Sequence, residues 1–113
     1  MSVTIYHNPR CSKSRQTLAI LEEKGVDHDV VEYLTAPPSQ AEMKRVLAKL
    51  GMKPADIIRK KEAKEAGIDA VAMSDGDLIK AMVANPIVIE RPIVVSEDKA
   101  VMGRPPENVL FII

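Results

Sequence analysis

Cysteine and aromatic residues are scarce in this chain. Cys11 is the one cysteine among 113 residues, the aromatic share is 3%, and tryptophan is absent. A single cysteine cannot form an internal disulfide, which is typical of a protein in the reducing cytoplasm. Because 46% of the residues are nevertheless hydrophobic, we expect a globular domain with a core of aliphatic side chains.

An excess of charge and long hydrophobic runs are also missing. Lysine plus arginine and aspartate plus glutamate both number 16, so no global field attracts nucleic acid or a membrane surface, and any anion site must be local. No apolar run approaches the length of a membrane span, and the first residues do not resemble a signal peptide. We therefore expect a cytoplasmic protein with no nucleic-acid partner and no membrane contact.

The first third of the chain predicts a strand, a helix and a second strand. Residues 3–6 alternate in polarity, and the first three are β-branched, which predicts a strand that ends at His7. A helix is expected from Ser12 to Lys24–Gly25, where a cation and a glycine are typical of a helix end. Residues 29–34 predict the second strand. The three elements form a βαβ unit, whose crossover should be right-handed.

The middle of the chain, at about residues 36–86, predicts a helical insertion. Ser39 is expected to cap one helix, and a serine or aspartate at 74–75 is expected to cap another. Between them, residues 60–65 predict a solvated charged stretch. The insertion is expected to belong to a single domain spanning 1–113, because the flanking strands need each other.

The last part of the chain predicts a β-hairpin followed by a helix. Residues 93–95 and 100–102 are apolar and bracket the turn sequence 96–99, which indicates the hairpin. Pro106 suits the first position of a final helix. That helix, ending at 109–113, is apolar enough to be buried against the sheet.

Cys11 lies in the polar segment 7–15, at the turn between the first predicted strand and helix. A helix N-terminus stabilises a thiolate through its N–H groups and its dipole, and Arg10, Lys13 and Arg15 add positive charge. A thiol with a pKa of about 8.5 is roughly 3% ionised at pH 7, whereas a pKa of about 6.5 would make it roughly 75% thiolate. Although lone cysteines are often buried and inert, this surrounding indicates a nucleophile.

Two residues beside Cys11 each allow two interpretations. His7 either hydrogen-bonds Cys11 or its loop and so holds the thiolate, or is a structural residue of the turn. Ser14, one helical turn after Cys11, either donates its hydroxyl to the sulfur or to a bound anion, or caps the helix. Arg10 and Arg15 also fit a solvated helix face. The two histidines and the cysteine lack the spacing of metal ligands, so we predict no metal site.

Four separated motifs, in this order, resemble the glutaredoxin-coupled arsenate reductase family. They are His7-Asn8-Pro9-x-Cys11-x-x-Ser14-Arg15, Ile57-Ile58-Arg59-Lys60, Asn85-Pro86-Ile87 with Arg91-Pro92-Ile93-Val94, and Gly103-Arg104-Pro105. The resemblance covers essentially the whole chain. It implies an α/β thioredoxin-like fold, with a β-α-β unit, a helical insertion, a β-hairpin and a C-terminal helix.

The resemblance also implies an activity and a site. Cys11 corresponds to the nucleophile, while Arg59, Arg91 and Arg104 correspond to the arginines that bind the oxyanion, which a guanidinium can contact with two hydrogen bonds. Pro92 is expected after a cis peptide bond, facing the nucleophile. The implied reaction reduces arsenate to arsenite with glutathione as thiol co-substrate and glutaredoxin as partner, and needs no bound cofactor.

Two other functions remain open at this point. A non-catalytic regulator can use the same fold to bind RNA polymerase or another protein. Ser14 stands where redox-sensing regulators related to the family have the second cysteine of a Cys-x-x-Cys pair, which argues against that class. Other oxyanions share the shape and charge of arsenate, so a thiol-dependent reductase of another oxyanion is the second alternative.

Overall fold

The computed structural model describes residues 2–113, which form a mixed α/β structure. The strands are β1 (Ser2–Tyr6), β2 (Asp27–Val31), β3 (Ile93–Val95) and β4 (Ala100–Met102). The α-helices are α1 (Ser12–Glu23), α2 (Gln40–Leu50), α3 (Lys60–Glu65) and α4 (Asp75–Ala84). Short 3₁₀ helices span Pro54–Ile57, Pro86–Val88 and Pro106–Phe111.

The chain divides into two compact units. The first combines the residues up to Ala36 with Arg91–Ile113, and the second is Pro37–Glu90. The second unit corresponds closely to the helical insertion predicted at about 36–86. That the chain acts as one domain, 1–113, stays a prediction.

The first unit is built on a four-stranded sheet in the order β2-β1-β3-β4. β1 runs parallel to β2, with α1 as the crossover between them, and antiparallel to β3. β3 and β4 form the predicted antiparallel hairpin, in which Val94 lies opposite Val101. A parallel βαβ unit followed by an antiparallel hairpin in one sheet is the thioredoxin-like arrangement.

Aliphatic side chains form the core of the first unit, as the composition predicted. Val3 and Ile5 alternate along β1 and are both buried, as is Val94 on β3. They pack with Leu21 of α1 and with Val109 near the end of the chain. Full burial of one such side chain contributes about 1.5–3 kcal/mol, so this cluster fixes α1 on the sheet.

The second strand was predicted to begin two residues and to end three residues later than it does. It pairs with β1 from Asp27 to Val31 and ends there, because β1 itself ends at Tyr6, the partner of Val31. The N–H of His7 donates one more bond to the carbonyl of Val31, at 2.8 Å. Beyond it the chain turns, since the N–H of Thr35 bonds to the carbonyl of Glu32 at 3.1 Å.

The C-terminal helix is a 3₁₀ helix, and it is only partly buried. Its buried residues Pro106 and Val109, together with Ile112, recur every third position, which is the period of a 3₁₀ helix. Leu110 and Phe111 are therefore exposed. The expectation of an apolar helix buried over 109–113 was wrong for these two side chains.

The second unit is helical, with one isolated bridge between Ile58 and Ile89. Ser39 caps α2 and Ser74 caps α4, as predicted. Residues 60–65 form α3, whose lysines are exposed as the predicted solvated stretch requires, while the buried Ala63 anchors its other side. No helix within residues 2–113 is both long and apolar enough to cross a bilayer.

Candidate active site

Cys11 occupies the N-cap of α1. Its backbone is extended, with φ −92° and ψ 123°, and its N–H donates to the carbonyl of Asn8 at 3.0 Å. Within residues 2–113 its sulfur accepts no main-chain hydrogen bond of full capping geometry, although N–H groups of the first turn lie near it, and the first turn of α1 contains no acidic residue. The sulfur therefore lies at the positive end of the helix dipole, next to N–H groups that no other side chain caps.

Arg104 reaches this sulfur from the end of the β-hairpin. Its Nη2 lies 3.5 Å from Cys11 Sγ, and its Nε donates to the carbonyl of Arg91 at 2.7 Å. The N–H of Gly103 donates to the carbonyl of Pro92 at 2.9 Å, so the two arginine segments are bonded to each other. The Arg91–Pro92 peptide is cis, as the resemblance implied, and so is Arg104–Pro105.

The pKa of the Cys11 thiol is lowered. Burial is the largest single influence and raises it, but the main-chain N–H of Ser14 and the side chain of Arg91, which are donors near the sulfur, lower it. Together with two smaller contributions they outweigh burial. The N–H of Lys13 and the charge of Arg104 act in the same direction. These donors favour the thiolate, which is the nucleophilic form of cysteine.

His7, in the loop after β1, and Ser14, in the first turn of α1, are hydrogen-bonded to each other, and both are buried. His7 Nδ1 lies 2.6 Å from Ser14 Oγ, which also accepts the N–H of Asn8 at 3.0 Å. The hydroxyl of Ser14 is thus bonded to residues of the preceding loop, and it is the main-chain N–H of Ser14 that favours the Cys11 thiolate. His7 therefore contacts the helix start through Ser14, and its role in catalysis stays a prediction.

The pKa of His7 is lowered, chiefly by burial. Glu32 raises it and Arg15 lowers it. The lowered pKa favours the neutral form of the imidazole. In a neutral ring, Nδ1 either donates a hydrogen bond to the hydroxyl of Ser14 or accepts one from it, depending on the tautomer.

Asn8 is a residue of this site that sequence reasoning treated only as part of a turn. It is buried, with 3% of its surface exposed. Its side-chain Oδ1 accepts the N–H of Arg10 at 3.0 Å, and its carbonyl accepts the N–H of Cys11. Arg15 Nη1 donates to the carbonyl of Pro9 at 2.9 Å. An asparagine just before a proline is a turn signal, and here the turn holds Cys11.

Arg59 lies in the second unit, at the N-cap of α3. Its Nε pairs with Glu62, and its Nη1 lies 2.7 Å from Glu90 Oε1. Burial lowers the pKa of the guanidinium, but the hydrogen bond to Glu62 and the charges of both glutamates raise it overall. Two carboxylates of the same unit thus contact Arg59, and its role in oxyanion binding stays a prediction.

The arrangement around Cys11 suits a tetrahedral anion better than a cation. Arg91 and Arg104 bring two guanidinium groups to the sulfur, and such groups bind oxyanions through charge-assisted hydrogen bonds. Within residues 2–113, no three His, Cys, Asp or Glu side chains are grouped in a way that could hold a metal ion.

Known proteins are similar to this chain over nearly its full length. The model of the ArsC family matches residues 6–112. The chain belongs to the ArsC family. An arsenate reductase of Haemophilus influenzae is 45% identical over 100% of both chains. The Escherichia coli uncharacterized protein YfgD is 51% identical, covering 98% of this chain and 96% of its own.

The solved structure of a similar protein confirms the thioredoxin-like fold. The arsenate reductase from Vibrio cholerae is 45% identical, and the match covers 100% of this chain and 98% of that one. The two structures superpose with a TM-score of 0.88. The family resemblance found in the four motifs is therefore confirmed by the whole chain and by its fold.

Proposed function

We propose that this protein reduces arsenate to arsenite, with Cys11 as the nucleophile. Glutathione is the thiol co-substrate, and glutaredoxin regenerates the enzyme. The observation that carries the proposal is the guanidinium of Arg104, 3.5 Å from Cys11 Sγ. Relatives at 45% identity over the full chain are named arsenate reductases, which supports arsenate as the substrate here.

Binding has to overcome a repulsion between like charges. Arsenate is an anion near neutral pH, and so is the thiolate that must approach it. Arg91 and Arg104 supply positive charge where both anions would meet, and a hydrogen bond to a charged group contributes about 1.5–3 kcal/mol. The family resemblance assigns Arg59 as a third arginine.

The reaction moves two electrons from sulfur to arsenic. The Cys11 thiolate attacks arsenic(V), an arsenate oxygen takes up protons and leaves as water, and a sulfur–arsenic bond forms. The thiolate of glutathione then bonds to the Cys11 sulfur while the sulfur–arsenic bond breaks. The electron pair of that bond stays on arsenic, which leaves as arsenite. A mixed disulfide between Cys11 and glutathione remains.

The single cysteine explains why an external thiol is needed. A resolving cysteine in the same chain would displace glutathione as an internal disulfide, but the sequence contains Cys11 alone. A thiolate of glutaredoxin must therefore take the glutathionyl group by thiol–disulfide exchange, which releases the Cys11 thiolate. Glutaredoxins are specialised for such glutathione mixed disulfides.

The test is an assay that couples arsenate reduction to NADPH oxidation through glutathione, glutathione reductase and glutaredoxin. We expect turnover only when arsenate, glutathione and glutaredoxin are all present. Without glutaredoxin, mass spectrometry should find one glutathione adduct on the wild-type chain and none on Cys11→Ser.

Two results would contradict the proposal. Sustained turnover with thioredoxin and without glutathione would show that the electrons take another route. A normally folded protein that never forms the adduct would instead favour a binding protein without reductase activity.

A further inference from the structure

Gly103 lies where the hairpin end meets helix α1. A β-carbon added at Gly103 would lie 2.6 Å from Pro92 Cγ and 2.6 Å from Thr17 Oγ1, well inside the usual carbon contact distance of about 3.5–4.0 Å. Thr17 is completely buried, and its hydroxyl donates to the carbonyl of Lys13 at 2.9 Å. Neither neighbour is the mobile end of a long side chain, so only glycine allows this approach.

Asn108 holds the same segment from the 3₁₀ helix that follows it. Its Nδ2 donates to the carbonyl of Met102 at 3.2 Å and to the carbonyl of Arg104 at 3.1 Å. These carbonyls lie on either side of Gly103. An amide nitrogen carries two hydrogens, so one side chain satisfies both acceptors.

We propose that Gly103 and Asn108 are positioning residues that place the guanidinium of Arg104 on the sulfur of Cys11. Gly103 sets how closely the segment approaches α1, the helix that begins at Cys11. Asn108 sets the direction of the main chain on both sides of Gly103. The bond from Arg104 Nε to the carbonyl of Arg91, at 2.7 Å, then aims the side chain.

The position of Arg104 leaves little tolerance. At 3.5 Å its Nη2 is within hydrogen-bond reach of the large sulfur atom, and a displacement of an ångström would break that contact. The proposal rests on the proposed role of Arg104 at the oxyanion site. It can nevertheless be tested without arsenate, because the same contact stabilises the thiolate of Cys11.

The test compares the rate of Cys11 alkylation by iodoacetamide, as a function of pH, in wild type and Gly103→Ala. We expect the midpoint to move to higher pH and the rate at pH 7 to fall by up to about tenfold, the size of one lost charge-assisted hydrogen bond. Gly76→Ala is the matched control, since nothing lies within 4 Å of a β-carbon at Gly76. Its profile should equal that of wild type.

Two further variants separate positioning from folding. Asn108→Ala removes two hydrogen bonds without adding bulk, and should move the midpoint in the same direction by less. Thr17→Ala combined with Gly103→Ala removes one of the two clashing side-chain ends, and should restore part of the alkylation rate at pH 7.

Each outcome decides a different point. If Gly103→Ala or Asn108→Ala melts earlier but keeps the wild-type alkylation profile, the residue is structural and the positioning role is wrong. If both variants raise the midpoint while wild type fails to reduce arsenate, the positioning role stands and the proposed function is wrong. Unfolding of Gly103→Ala leaves Asn108→Ala, which is expected to fold, as the deciding variant.

Discussion

Helices α1 and α4 begin in opposite ways. At the start of α4, Ser74 Oγ accepts the N–H of Asp77 at 3.2 Å, and the first turn carries Asp75 and Asp77. At the start of α1, Cys11 has the extended backbone of an N-cap, but its side chain makes no capping bond among the described residues. Its first turn carries Lys13 and no acidic residue.

The two helix starts differ in what their N–H groups stabilise. A serine cap contributes about 1 kcal/mol, and acidic residues in the first turn add a few tenths through the helix dipole. α4 has both, whereas α1 has neither. The N–H groups of Lys13 and Ser14 are directed to the sulfur of Cys11 instead, so the donors that would stabilise a helix stabilise a thiolate.

The largest expected effect comes from replacing Cys11, the N-cap of α1, by serine, the residue that caps α4. Cys11→Ser should abolish arsenate reduction, because a hydroxyl is hardly ionised near pH 7 and cannot cycle through a disulfide. The same change should leave the fold intact, and should raise the free energy of unfolding by up to about 1 kcal/mol if serine caps the helix. Turnover in the coupled assay and urea unfolding measure the two effects.

Wild-type turnover in Cys11→Ser would refute the mechanism. Loss of turnover together with a clear loss of stability would instead show that the thiol supports the fold, and that α1 does not differ from α4 in the way described here.

The next largest effect concerns the two arginines near the sulfur at the start of α1. Arg91→Ala and Arg104→Ala should each reduce kcat/KM for arsenate by about tenfold to hundredfold, since a hydrogen bond to a charged group contributes about 1.5–3 kcal/mol. Arg45→Ala is the control, because Arg45 is exposed on α2. Equal behaviour of all three variants would contradict the proposed anion site.

A smaller effect is expected in the pH dependence of the native protein. The pKa of Cys11 is lowered by folding, so alkylation of native protein should reach half its maximal rate at a lower pH than alkylation of urea-denatured protein. The unfolded chain then binds more protons between the two midpoints, so stability rises with pH across that window. The stabilisation is lost as the pH falls through the native midpoint.

The denatured protein is the matched control for this prediction, because it keeps the same neighbouring charges in sequence and loses only their arrangement. Coinciding midpoints would mean that the N-terminus of α1 does not stabilise the thiolate, and that its open first turn serves no chemical purpose.

Local signals predicted those parts of the fold that depend on neighbouring residues. The caps Ser39 and Ser74 were found because a cap needs only the residue three positions on, and the hairpin because its turn lies between its strands. The end of β2 was missed because β1, which is distant in sequence, decides it. The 3₁₀ form of Pro106–Phe111 was missed because apolar content does not distinguish the two helix types.

The same distinction applies to the site. Cys11 stood out through its own neighbours, whereas Arg104 lies 93 positions away and was found only through a family motif. The contacts of Gly103 and Asn108 join the hairpin end to α1 and to the last 3₁₀ helix. No spacing rule in one sequence indicates them, since they depend on where the sheet brings distant segments.

The smallest effect on activity should come from removing the serine cap of α4, which has no counterpart at the start of α1. Ser74→Ala deletes the hydroxyl that accepts the N–H of Asp77, and should lower the free energy of unfolding by about 1 kcal/mol. The alkylation profile of Cys11 and kcat/KM for arsenate should not change, since Ser74 caps a helix that contributes no residue to the proposed site. If Ser74→Ala shifts the alkylation midpoint while the protein remains folded, α4 does more than stabilise, and the two helix starts are not separate in function.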